Sequence, residues 1–291
     1  MKPHTLGGIG LMLAGIALFS INDALGKWLL ATYSVGELLL VRGIAALVLL
    51  APFIRSAGLT AFTSAPRPAL QIVRAVLSTL EVAMFFWAVS YLPLADTVTF
   101  YLAAPIYVTA LSVLLLGEKV GARRWAAIVV GFAGVMIALR PSPATLTLPA
   151  LIALTGSVFF AFLMITTRLL RETANTVLVT TQIVATFLFA LVVAPFAWVT
   201  PSPLDFVMLL LFGVLSIAGL ACVNLSLKLA AASVVAPYQY TIIVWAVVLG
   251  YVVFGNMPDP FTLAGAAVIV AAGLYIFWRE QTKRESPAPL H

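Results

Sequence analysis

Three charged side chains, Asp23, Arg42 and Glu81, lie within long apolar stretches of the chain. An ionisable group at the centre of a bilayer costs on the order of 3 kcal/mol, so each needs a partner or a task. Asp23 precedes Lys27 by one helical turn, the spacing of a local ion pair. Arg42 falls about 9 Å into its apolar run at 1.5 Å per residue. Glu81 falls near the middle of the next run, and the three share a comparable depth on neighbouring segments. A buried guanidinium needs an anion, so Arg42 is expected to pair with Asp23 or Glu81. That pair would be a brace between helices, a gate or a substrate contact.

Polar aromatic, amide and thioether groups add candidates for a ligand pocket: Met84, Tyr101, Phe160, Met164, Asn224, Tyr238 and Gln239. Tyr101, Asn224, Tyr238 and Gln239 carry polar tips that want a partner or water inside a membrane. Pro105 and Pro237 are expected to break their helices and free backbone carbonyls, which is tolerated where helices line a cavity. Catalytic chemistry is absent from this inventory. The two histidines, His4 and His291, lie in the tails, so no His–carboxylate cluster can hold a metal. Cys222 is alone, and there is no glycine-rich loop with a phosphate-binding lysine. No enzyme activity, cofactor, metal or nucleic acid is expected.

The segments that must carry these groups are membrane helices. The chain is 63% hydrophobic and 9% charged, against about 25% charged in a soluble domain. The apolar runs are continuous and do not alternate, which favours helices over a barrel. The sequence predicts ten spans, at 7–29, 36–54, 69–90, 94–115, 123–140, 147–167, 176–197, 205–227, 233–254 and 261–278, making the protein all-α and integral to the membrane. With the N-terminus inside, thirteen basic residues, Arg74 among them, fall on the inner side. Lys27 and Arg140 fall outside. Both termini are therefore expected in the cytoplasm, in the inner membrane.

The second half repeats the first. Val76-Leu77-Ser78 returns as Val214-Leu215-Ser216, 138 positions later, and Gly117 meets Gly255 at the same offset. Gly15 and Phe19 answer Gly156 and Phe160, and Ala51-Pro52-Phe53 answers Ala194-Pro195-Phe196. Two copies of a five-helix unit insert in opposite directions, so the repeat is inverted, with residues 1–143 and 144–280 as the halves and 281–291 as a tail. In this register Asp23, Arg42 and Glu81 face Met164, Ala185 and Gly219. The expected site is polar on its first-half side and apolar on the other, with Arg42 as its one deep cation. That composition argues against phosphorylated substrates.

Ten spans, the five-plus-five repeat, Leu116-Gly117-Glu118 closing the fourth span and Ala104-Pro105-Ile106 within it resemble the drug/metabolite transporter superfamily, EamA type. Gly131 and Gly134 follow, and the second copy keeps Gly255, Gly265 and Gly273 with Asn256 in place of the glutamate. The resemblance implies a cavity formed by spans 1–4 and 6–9, with pairs 3–4 and 8–9 as gates. It points, through its aromatic amino acid exporters, to export of amino acids with bulky apolar side chains by alternating access. The alternative is proton-coupled efflux of cationic drugs, with Glu81 or Asp23 as counter-charge.

Overall fold

The computed structural model describes residues 3–92, 94–118, 120–139, 147–255 and scattered positions between 260 and 275. The described elements are all helical: α1 (Pro3–Leu29), α2 (Val35–Thr63), α3 (Pro68–Tyr91), α4 (Leu94–Tyr101), α5 (Ala104–Leu116), α6 (Ala122–Leu139), α7 (Leu148–Leu169), α8 (Asn175–Val193), α9 (Pro203–Leu229), α10 (Ala232–Val235) and α11 (Ile242–Phe254). Seven stretches among the described residues are long and apolar enough to cross a membrane, including Val35–Gly58, Leu148–Leu169 and Ala232–Phe254. Large apolar side chains such as Val48, Leu114, Leu148, Phe196 and Val252 point outward, as lipid contact requires. Half of the tenth span, 261–278, lies outside the described residues, as do Pro93, Pro141, Asp259 and the tail.

Local chemistry sets the ends. The Ser34 hydroxyl accepts from Glu37 N at 3.2 Å and starts α2; Ser202 does the same for α9 through Asp205 N at 3.2 Å. Proline occupies the first turn of α3, α5, α7 and α9, where its missing N–H has no cost. Gly117 and Gly255, the repeated glycines, close α5 and α11 with φ of 64° and 66°, a left-handed turn that side-chain-bearing residues resist.

The two expected breaks are present. The predicted span 94–115 is two helices, α4 and α5, separated at Leu102–Ala103. Pro105 cannot donate to the Tyr101 carbonyl four residues back, so α4 stops at Tyr101. Span 233–254 is a single turn of helix, α10, then a 3₁₀ stretch at Ala236–Thr241 that contains Pro237, then α11.

Packing follows a two-fold pattern. α1 lies along α9, α3 lies along α7, and α2 lies along α8. Exchanging the repeats converts the first contact into the second and the third into itself. The turn between α1 and α2 runs from Leu29 to Val35, and that between α7 and α8 from Leu169 to Asn175. The offset at this point is therefore 140, so Arg42 corresponds to Gln182. The offset of 143 that carries Pro52 onto Pro195 would pair Arg42 with Ala185 instead.

Candidate functional site

A cavity lies where α1, α2, α3, α4, α7, α8, α9 and the 3₁₀ stretch converge, with about 120 Å³ open to the centres of water molecules. That is room for several waters or one small organic group. Its polar lining is Asn22, Asp23, Arg42, Arg74, Glu81, Gln182, Asn224 and Gln239; Phe19, Phe85, Phe86, Tyr101, Phe160 and Met164 form much of its apolar wall. Eight of the expected site residues are thus together: Asp23, Arg42, Glu81, Tyr101, Phe160, Met164, Asn224 and Gln239.

Four are elsewhere. Met84 is one turn beyond Glu81 but lies against α7 beside Gly156, outside the cavity lining. Tyr238 is buried in the apolar cluster with Val108, Ala161 and Val235. A 3₁₀ turn rotates successive residues by about 120°, so with Gln239 facing the cavity, Tyr238 faces away. Gln239 Nε2 lies 3.8 Å from Met164 Sδ. Pro105 and Pro237 stand at the helix breaks and do not line the cavity.

Arg42 is held differently from the expected pairing. Its Nε donates to Ser216 Oγ on α9 at 2.8 Å, and its guanidinium lies 5.5 Å from the Phe212 ring centroid. Ion pairs between described side chains within 4 Å occur at Arg168–Glu118 and Arg171–Glu172, so neither Asp23 nor Glu81 touches Arg42 directly. Both carboxylates still act on it electrostatically. The close approach that makes this possible is at Gly213, where a Cβ would come within 2.9 Å of the Arg42 carbonyl oxygen. Tyr101 donates its hydroxyl to the Glu81 backbone oxygen at 3.2 Å and meets Phe85 edge-on at 5.0 Å. A Cβ on Gly156 would collide with that hydroxyl.

Arg74, expected among the inner basic residues at helix ends, is instead 1% exposed and lines the cavity. Nε donates to Thr167 Oγ1 at 2.7 Å, Nη1 to the Leu178 carbonyl at 2.9 Å, and Nη2 to Gln182 Oε1 at 2.9 Å and Asn224 Oδ1 at 3.0 Å. The cavity therefore has two deep cations. Its second-half side is not simply apolar, because Thr167, Gln182 and Asn224 supply the acceptors. The available signal was spacing: Arg74 and Glu81 are seven residues apart, two turns on one helix face.

Two cations near the helix ends act as counterparts. Lys27 donates to the carbonyls of Val89 and Leu92 at the end of α3, at 3.2 and 3.0 Å. Arg168 donates to those of Leu227 and Lys228 at the end of α9, at 2.7 and 3.2 Å. On the Arg168 side, Glu118 also accepts from Ala232 N and Ser233 N at 3.1 and 3.0 Å, tying the end of α5 to the start of α10. A polar pocket of about 520 Å³ lies beside this contact, lined in part by Arg67, Glu118, Arg168 and Arg171.

The EamA-like transporter family matches this chain twice, over residues 6–140 and again over 147–278, one match for each of the two helical halves. The chain belongs to the EamA-like transporter family. Among curated proteins it is 27% identical to an S-adenosylmethionine uptake transporter of Rickettsia prowazekii over 97% of this chain and 96% of that one. It is 28% identical to a riboflavin transporter of Rhizobium johnstonii over 97% and 94%. It is 31% identical to the pseudopaline exporter CntI of Pseudomonas aeruginosa over 90% and 94%. A crystal structure at 16% identity superposes with a TM-score of 0.78 over 96% of this chain and 99% of its own, which supports the fold alone. The protein is thus a multi-pass membrane transporter of a small molecule.

Proposed function

We propose that the substrate is an amphoteric organic metabolite: an amino acid or amino acid derivative with an aromatic or other bulky apolar part, carried by alternating access between two five-helix halves. The observation that carries this reading is the cavity, where two carboxylates, two guanidiniums and neutral amides share one space with a wall of rings. A zwitterionic end needs both signs of charge, and a ring or thioether body needs the wall. S-adenosylmethionine, named for a relative, has this combination: an amino acid end and an aromatic base. Relatives named for uptake and for export share this fold, so direction follows the driving gradients. Export of aromatic amino acids is the form of the reading that the aromatic wall favours.

A second reading, efflux of cationic drugs, draws on Asp23 and Glu81 lining the cavity together. The guanidinium of Arg42 acts on both, which offsets their attraction for a foreign cation. Purified protein in liposomes separates the readings. Labelled tryptophan should cross and be inhibited by S-adenosylmethionine, while a lipophilic cation should neither cross nor compete. Cation flux without amphoteric flux would establish the second reading in its place.

Both termini are proposed to face the cytoplasm of a bacterial inner membrane, on the strength of the thirteen-to-two division of basic residues. Moving Arg74 into the cavity leaves twelve against two, the same answer. A cysteine at Gly121 in a Cys222→Ala background should resist impermeant thiol reagents in intact cells. Labelling from outside would reverse the orientation.

A further inference from the structure

Among the described residues, Arg74 is a buried cation with no anion beside it. Each of its four hydrogen bonds goes to a neutral acceptor. No described carboxylate stands within ion-pair distance. A structural guanidinium buried among helices would ordinarily have a carboxylate beside it. Four neutral acceptors fix its orientation and leave its charge uncompensated.

Asn224 supplies a second, independent observation. Its Oδ1 must face Arg74, because arginine only donates. Its Nδ2 then points away, and that nitrogen is buried with no hydrogen-bond partner. Asn224 is 1% exposed and lines the cavity. An orphaned buried donor costs about 1–3 kcal/mol. Arg74 has one of its five N–H groups unused, the second on Nη1, whose first goes to the Leu178 carbonyl. A positive charge and spare N–H donors on adjacent side chains describe a receptor for an acceptor-only, negatively charged group.

We propose that Arg74 and Asn224 form the anion site of the cavity and bind the carboxylate of the substrate. The carboxylate takes the free guanidinium N–H and Asn224 Nδ2. The body of the substrate then extends along α3 toward Glu81 and Asp23, about 10 Å away at 1.5 Å per residue over two turns. The cavity is thereby polar along its length, with its positive end at Arg74 and its carboxylates at the other end around Arg42. This assignment rests on the amphoteric reading and adds the orientation of the substrate to it.

Asn224→Asp tests it with little change of shape. The new carboxylate would neutralise Arg74 internally and present an oxygen where Nδ2 had been. The readout is the rise in unfolding temperature of purified protein with tryptophan or with tryptamine, which lacks the carboxylate; it needs no transport. Wild type should bind tryptophan about tenfold more tightly than tryptamine, the size of one charge-assisted hydrogen bond. Asn224→Asp should abolish that preference while tryptamine still binds, and Arg74→Gln should do the same if it folds. A wild type without the preference, or an Asn224→Asp protein that keeps it, would overturn the assignment. Tryptophan flux in liposomes is scored separately. Normal flux with an unchanged preference in the variant refutes the anion site and leaves the transport reading standing. Loss of preference in a protein that moves no amphoteric solute refutes the transport reading and leaves the site.

Discussion

Two side-chain clusters at the cavity, one around Arg74 and one around Phe212, occupy equivalent positions of the repeats and differ in chemistry. In the first, Arg74 is gripped by Thr167, Gln182 and Asn224. At the offsets of 138, 140 and 141 that relate the repeats, these four correspond to Phe212, Gly26, Arg42 and Phe86. Those four also meet. Phe86 and Phe212 pack edge to face at 5.4 Å, Arg42 lies over Phe212, and a Cβ on Gly26 would fall 2.5 Å from the Phe86 ring. One scaffold therefore carries a polar cluster and an aromatic cluster at equivalent positions. Duplication supplies the frame, and divergence at four positions sets the two clusters apart. A symmetric cavity would present the same side chains at both clusters; this one does not.

Removing the centre of each cluster tests that contrast, and the larger effect is expected at the aromatic cluster. Phe212 is fully buried. Phe212→Ala should cost about 3 kcal/mol in lost packing and residual cavity, seen as a lower unfolding temperature in detergent. It also strips Arg42 of its ring, so a loss smaller than that of an exposed apolar truncation such as Val48→Ala would show that the cluster contributes nothing to the core. At the polar cluster Thr167→Val keeps the shape and removes the acceptor for Arg74 Nε. Hydrogen bonds between membrane helices are worth roughly 1 kcal/mol, because the alternative states also find partners. The expected change is a drop in unfolding temperature of about a third of the Phe212→Ala value. A drop as large would mean that the polar cluster is the main clamp between α3 and α7, and that Arg74 serves structure before substrate.

Much of this arrangement was legible along the chain. Continuous apolar runs forecast membrane helices, Pro105 and Pro237 forecast the breaks, and Gly117 marked the end of the fourth span. Asp23, Arg42 and Glu81 stood out because charge is expensive in lipid, and all three line the cavity. Arg74 did not stand out, since it lies only two turns inside the start of α3, where basic residues commonly reach the interface. Helix depth alone does not distinguish an arginine that snorkels outward from one that is turned inward. The acceptors on α7, α8 and α9 turn it inward.

What the sequence by itself determined was the class and the frame: an all-α membrane protein of repeated halves, with the helix ends and breaks set by local Ser, Pro and Gly chemistry. Those features depend on neighbours within a few residues, so they can be read from spacing. The tertiary structure decided partners and facing. It gave Arg42 to Ser216, which is 174 positions away, instead of to a carboxylate. The 3₁₀ twist sent Tyr238 into the packing and Gln239 to the cavity, and Arg74 came to rest with no described anion beside it. Each of these depends on which helix crosses which, and at what rotation, and no local pattern in the chain encodes that.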